Sequence, residues 1–263
     1  MCYDAQSATL AKLKYARHRG DEKWAEELMR KLNALDPVKY PLYHVNGYAH
    51  PPLLVFTNDA PLEPETFLWG LIPYWMKTAD DAKKIWNQTL NAKGETIFEK
   101  PSFRVPAKQK RCLIFLDGFY EYHHVGNKTV PYRIFRKDGE PLTVAGLWDE
   151  WTDKATGEIV KTVTIVTTVG NGMMSKIHNN PKAEMGPRMP VLLSKEEQDQ
   201  WLMDCKTDAD KAHLQSLIRP FPDGELTAHP VGRLRGKEAV GNQPEALLPA
   251  SYGAHEVDLS EWA

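Results

Sequence analysis

Cysteine is scarce in this chain, with three residues in 263, widely spaced and odd in number. Cys2, Cys112 and Cys205 give no disulfide framework and fit a reducing, cytoplasmic setting. No C-x-x-C pair occurs and the nine histidines fall in no metal-type spacing, which speaks against a structural zinc. No metal and no cofactor are expected. No apolar run approaches the roughly 20 residues of a membrane span, and the N-terminal region lacks the basic, apolar and small-residue segments of a signal peptide. No membrane partner is expected. The net charge of −2 means that a nucleic-acid partner would need a local basic patch. Internal repeats and low-complexity linkers are also missing. What remains is a globular composition, 42% hydrophobic and 26% charged. It reads as a single domain over residues 1–263, with a loop-rich tail at 220–263 packed on it, and as a monomer.

The local patterns point to an α+β fold with a mixed or barrel-like sheet. Residues 21–35 read as an amphipathic helix, with Asp21 as cap and Trp24, Leu28, Leu32 and Leu35 on one face. Strands are expected at 53–56, 112–116, 132–135, 143–148 and 162–168, all rich in β-branched and aromatic residues. Asp138-Gly139 is a hairpin signal between the third and fourth of these. Ser194 and Glu197 form a capping box that opens a helix through Trp201 and Leu202, and a further helix is expected at 208–218.

Cys2 carries the most unusual chemistry. Once Met1 is trimmed, as expected before a small second residue, Cys2 presents a free α-amine and a thiol two carbons apart. Their ordinary pKa values, about 7.7–8.0 and about 8.5, leave both partly nucleophilic near neutral pH. Such an aminothiol condenses with an aldehyde: the amine gives a Schiff base, and the thiol closes a thiazolidine. Four other segments are dense in chemistry. Residues 69–75 read W-G-L-I-P-Y-W, and packing explains Trp69. Residues 91–96 read N-A-K-G-E-T beside a basic stretch. That stretch, 83–111, holds eight cations, including Lys93, Lys100 and Arg104, against two acids, and is interleaved with Trp86, Phe98 and Phe103. Cations for phosphates and rings for bases suit a single strand of nucleic acid. Glu121 follows an apolar strand, where burial would raise its pKa and fit it for proton transfer. His178 and Arg188-Met189-Pro190 complete the set. Spacing alone cannot bring Cys2, Asn91, Glu121 and His178 together.

The order of these motifs resembles the SRAP (SOS response-associated peptidase) family, whose members sense abasic sites in single-stranded DNA. The resemblance runs from Cys2 through 69–75, 91–96, Arg111-Cys112-Leu113, Phe119-Tyr120-Glu121-Tyr122, Ile177-His178-Asn179 and Arg188-Met189-Pro190, with His229-Pro230-Val231 near the end. It implies one α+β domain built round a barrel-like sheet with a basic DNA-binding groove. It also implies a covalent thiazolidine crosslink between Cys2 and the abasic sugar. In that scheme Asn91 positions Cys2 and the sugar, and Glu121 binds the amine and moves protons. His178 acts as general acid on the sugar oxygen. Trp75 is a wedge or stacking residue, and Lys93 and Arg188 meet phosphates. Weak lyase activity follows from the Schiff base.

This chain departs from the family pattern in three places. Cys2-Tyr3-Asp4 replaces C-G-R. Nine residues, 179–187, separate His178 from Arg188 where the usual pattern is H-x-R-M-P. Tyr122 stands where tryptophan is usual. Two other function classes stay open. One is a thiol peptidase with autoprocessing activity, using Cys2 with His178 and Glu121. The other is a non-catalytic single-strand binder using the basic-aromatic segment alone.

Overall fold

Ten of the eleven residues of the strand Ile159–Val169 are β-branched, a composition that favours a strand buried on both faces. This strand organises the architecture. The computed structural model describes residues 2–7, 26, 30, 42–181 and 186–262. Apart from Glu26 and Arg30, the helix expected over 21–35 lies outside them.

The described strands are β1 (Asp4–Ser7), β2 (Leu42–Asn46), β3 (Pro52–Thr57), β4 (Pro64–Trp69), β5 (Asn91–Lys93), β6 (Arg111–Leu116), β7 (Gly118–Val125), β8 (Lys128–Arg136), β9 (Leu142–Thr152), β10 (Ile159–Val169), β11 (Arg188–Pro190) and β12 (Leu226–Pro230). The α-helices described over their full length are α1 (Ala79–Trp86), α2 (Arg104–Gln109), α3 (Gly172–Ile177), α4 (Lys195–Leu202) and α5 (Asp208–Ser216). Strands β10, β4, β3, β6 and β9 pair in that order, and β9 pairs back onto β10, closing a barrel-like ring. The pairs are antiparallel except β10–β4, so the ring is mixed. A second, antiparallel sheet runs β12-β8-β7-β1-β2. One apolar core draws on both, joining Ala5, Phe119 and Ile134 to Leu53, Ile114 and Val163. This is the α+β, barrel-like architecture expected from the sequence.

Strand β10 splits its partners along its length. Its first half pairs with β4 on one edge and β9 on the other. Its last residues pair with β5 on one edge (Ile165 opposite Asn91) and β11 on the other (Val169 opposite Arg188). The fold thereby sets two distant motifs on either side of one strand end.

Two expectations need correction. Asp138-Gly139 does turn the chain, with Gly139 at φ 70°. It makes no hairpin, because β8 pairs with β7 and β12 while β9 pairs with β6 and β10. The turn hands the chain from one sheet to the other. The tight hairpin joins β7 to β8 at Gly126-Asn127, with Val125 opposite Lys128. The tail beyond 220 also holds β12, which carries His229 and Pro230 and pairs with β8. The capping box is present: the Ser194 side chain and the Glu197 carboxylate satisfy each other's backbone N–H groups at the start of α4.

Candidate active site

The candidate residues meet where the second sheet faces the end of β10. Cys2 precedes β1, and β1 pairs with β7 so that Asp4 lies opposite Tyr120. Glu121 therefore lies within β7, one strand later than the apolar run of β6 that ends at Leu116. Asn91 opens β5. His178 caps the C-terminus of α3, its N–H bonded to the Met174 carbonyl at 2.8 Å. Asn179 Oδ1 accepts from the His124 N–H at 2.7 Å and its Nδ2 donates to the His124 carbonyl at 2.9 Å. These two bonds pin the residue after His178 to β7.

Direct contacts join the four in two pairs. Asn91 Nδ2 donates to the Cys2 carbonyl at 2.8 Å, while Asn91 Oδ1 is buried with no hydrogen-bond partner among the described residues. Glu121 Oε2 lies 3.3 Å from His178 Nδ1. The pairs are coupled electrostatically. Burial pushes the Cys2 thiol well above its ordinary range, and the Glu121 carboxylate adds to that rise. Burial pushes the Glu121 carboxyl up to about 7. Burial also pulls His178 down to about 4, so its imidazole is neutral at pH 7. Cys2 Sγ donates to the Asp4 carbonyl at 3.6 Å, not to His178.

A cleft of about 320 Å³ opens onto the Glu121–His178 pair, with Cys2 and Asn91 buried behind its lining. Glu121 and His178 line it, with Tyr3, Tyr48 and Tyr122 at its walls. Tyr3 stacks on Tyr48 with ring centroids 5.3 Å apart. Asp4, also on the cleft wall, is fully buried; its Oδ1 accepts from His44 and Asn46 at 2.9 Å each, and its Oδ2 from Arg235. Burial alone would raise its pKa, but these partners hold the carboxyl below its usual value. The sequence reading did not single out His44 or Arg235. The signal it passed over is the R-L-R-G-K run at 233–237, basic and directly after His229-Pro230-Val231. Among the described residues, no group of His, Cys, Asp and Glu is arranged to hold a metal.

The residues expected to meet DNA fall elsewhere. Trp75 is 45% exposed and shares a separate hollow with Lys77, Lys84 and Gln88. Lys93 is half-buried at the end of β5, and Lys100 and Arg104 are exposed near the start of α2. None of these lines the cleft. Arg188, expected at a phosphate, is bonded within the protein. It is 3% exposed, with its guanidinium on Glu95 at 2.7 Å and on the Thr167 carbonyl at 2.9 Å. A phosphate would have to displace Glu95 to reach it.

Comparison with known proteins agrees with this architecture. The family model for SOS response associated peptidase matches residues 11–237. Abasic site processing protein YoqW of Bacillus subtilis is 39% identical over 180 residues, 68% of this chain and 73% of that protein. Abasic site processing protein HMCES of Mus musculus is 32% identical over 250 residues, 82% of this chain and 67% of that protein. A crystal structure of a protein from Bacteroides thetaiotaomicron superposes with a TM-score of 0.78 at 33% identity, covering 95% of this chain and all of that one. The chain belongs to the SOS response associated peptidase family.

Proposed function

We propose that this protein processes abasic sites in single-stranded DNA, capturing the open-chain aldehyde of the lesion on the aminothiol of Cys2. The observation that carries the reading is the pairing of a buried Glu121–His178 couple with a Cys2 held by Asn91. The names of the relatives, abasic site processing proteins of bacterial and mammalian origin, point the same way.

The electrostatics order the chemistry. A thiol kept protonated by burial is a poor first nucleophile. The amine of trimmed Cys2 therefore attacks C1′ first. Glu121, poised near neutrality, accepts the amine proton and returns one to the departing hydroxyl, so that one water leaves and a Schiff base forms. The thiol then adds to C1′, its proton passes to the imine nitrogen, and the thiazolidine closes. Over both steps an aldehyde and an aminothiol yield a thiazolidine and water. His178, neutral at pH 7 and 3.3 Å from Glu121, acts through a ring N–H rather than as an imidazolium. It thus assists sugar ring opening as a hydrogen-bond donor. Asn91 holds the Cys2 carbonyl and offers its buried Oδ1 as an acceptor to the amine or the sugar. The Schiff base permits β-elimination of the 3′ phosphate, a weak lyase activity that ring closure suppresses.

The thiol peptidase reading is disfavoured by the same contacts. A cysteine peptidase needs a thiolate paired with an imidazolium. Here the thiol is pushed up, the imidazole is pulled down, and the Sγ contact is to a backbone carbonyl. The test is incubation of the trimmed chain with abasic single-stranded DNA followed by denaturing electrophoresis. A stable adduct is expected, absent with Cys2→Ala. With Cys2→Ser an adduct is expected only after borohydride trapping. Undiminished crosslinking by Cys2→Ala overturns the reading.

A further inference from the structure

Resting on the abasic-strand reading above, we infer that Arg235 is the residue of the cleft that grips the DNA phosphate beside the lesion, and that Asp4 holds it in place. A strand whose abasic sugar reaches Glu121 and His178 must bring its flanking phosphates to the cleft mouth. The cleft lining supplies two arginines for them, Arg233 and Arg235. Arg233 is turned to Glu238, its Nε 2.8 Å from the carboxylate. Arg235 faces the other way, toward Asp4, and half of its side chain stays exposed.

The loop is built to aim this side chain. Leu234 is buried against Tyr120, Val231 and Ala246. The Val240 N–H closes the loop on the Arg233 carbonyl at 2.9 Å, and Gly236 takes φ 85° to permit the turn. The guanidinium lies 4.7 Å from the centroid of the Tyr122 ring. Its contact with Asp4 uses one terminal nitrogen, Nη2, of a group that carries five N–H donors. The flat fork that remains can take a phosphate while the carboxylate fixes its orientation. Asp4 is itself held on both oxygens, by His44 and Asn46 at Oδ1 and by Arg235 at Oδ2. The acidic residue at position 4 is thus compensated by a cation brought in from 231 positions along the chain.

The experiment measures affinity for a single strand bearing a tetrahydrofuran abasic analogue, which has no aldehyde and cannot crosslink, over a salt series. Four proteins are compared: wild type, Arg235→Gln, Asp4→Asn and the double variant. Arg235→Gln is expected to weaken binding roughly tenfold, the loss of one charge-assisted hydrogen-bonding group. It should also lower the salt slope by roughly 0.7, one phosphate's worth for a single strand. Both losses are expected to persist when Arg235→Gln is made in the Asp4→Asn background, where no buried carboxylate needs neutralising, with the loss of affinity smaller because Asp4 no longer orients the guanidinium. That background also decides the matter if Arg235→Gln alone fails to fold. An unchanged slope overturns the inference, and so does a loss that vanishes in the Asp4→Asn background, since Arg235 would then serve Asp4 alone. Crosslinking of wild type to an aldehyde-bearing strand is read separately. If that fails while the slope falls as stated, the phosphate grip stands and the covalent reading does not.

Discussion

Glu121 and His178 titrate in opposite directions from their ordinary values, and that opposition can be measured. The folded chain holds the Glu121 proton up to about 7 against an ordinary 4.5, because burial disfavours the carboxylate. This contribution to stability is therefore present below about 4.5 and is lost as pH rises through about 7. Glu121→Gln cannot ionise. Its melting temperature is expected to gain on wild type between pH 4.5 and 7 and to keep a constant difference above; a difference that is flat with pH contradicts the assignment. His178 has the reverse sign. Its folded pKa is about 4 against 6.5, so the folded chain sheds the proton, and stability rises from about pH 4 to 6.5. The kinetic counterpart is a wild-type crosslinking rate that climbs as Glu121 ionises near pH 7. Glu121→Gln should lose that limb and run about 10²–10⁴-fold slower, in single-turnover time courses at saturating DNA. A rate matching wild type would remove Glu121 from the proton path. Cys2, Asn91, Glu121 and His178 stood out as candidates in the sequence because their residue types carry chemistry. The contact of Asp4 with Arg235 was not legible, since it spans 231 positions and no local pattern encodes it.

At the scale of elements, the site depends on how β10 shares its edges. The turn after β4 is one support. Gly70 sits at φ 109°, and an added Cβ there would lie 2.4 Å from Trp86 Cδ1 and 2.9 Å from the Trp86 carbonyl oxygen. Trp86 in turn stacks on His50 with ring centroids 3.8 Å apart. Gly70→Ala is expected to cost on the order of 2–4 kcal/mol through backbone strain and overpacking. A urea midpoint equal to wild type would contradict that. The apolar strands β3 and β6 and the β-branched strand β10 were readable because their composition and their burial agree. The capping box of α4 was readable because its chemistry is local. Pairing was not. Asp138-Gly139 carries the right residues for a hairpin, yet the strands on either side belong to different sheets. Gly126-Asn127 closes the real hairpin, and its signal was present but weaker.

For the whole molecule, the candidate site lies at the seam between the two sheets. Cys2 and Glu121 come from one sheet, Asn91 and Arg188 from the other, and the C-terminal segment braces both. Strand β12 pairs with β8, the Val257 N–H donates to Tyr132 Oη at 2.7 Å, and Trp262 is buried in the shared core. We therefore expect a chain ending before residue 220 to lose cooperative unfolding in thermal circular dichroism. A sharp wild-type-like transition would instead make the tail dispensable. The central claim, covalent capture on Cys2, is tested most directly by the intact mass of the protein after incubation with an abasic oligonucleotide. The account predicts one adduct, equal to the chain without Met1 plus the oligonucleotide minus one water, mapping to Cys2 after digestion and formed without reductant. An adduct that retains Met1, maps to a lysine or requires borohydride would contradict it.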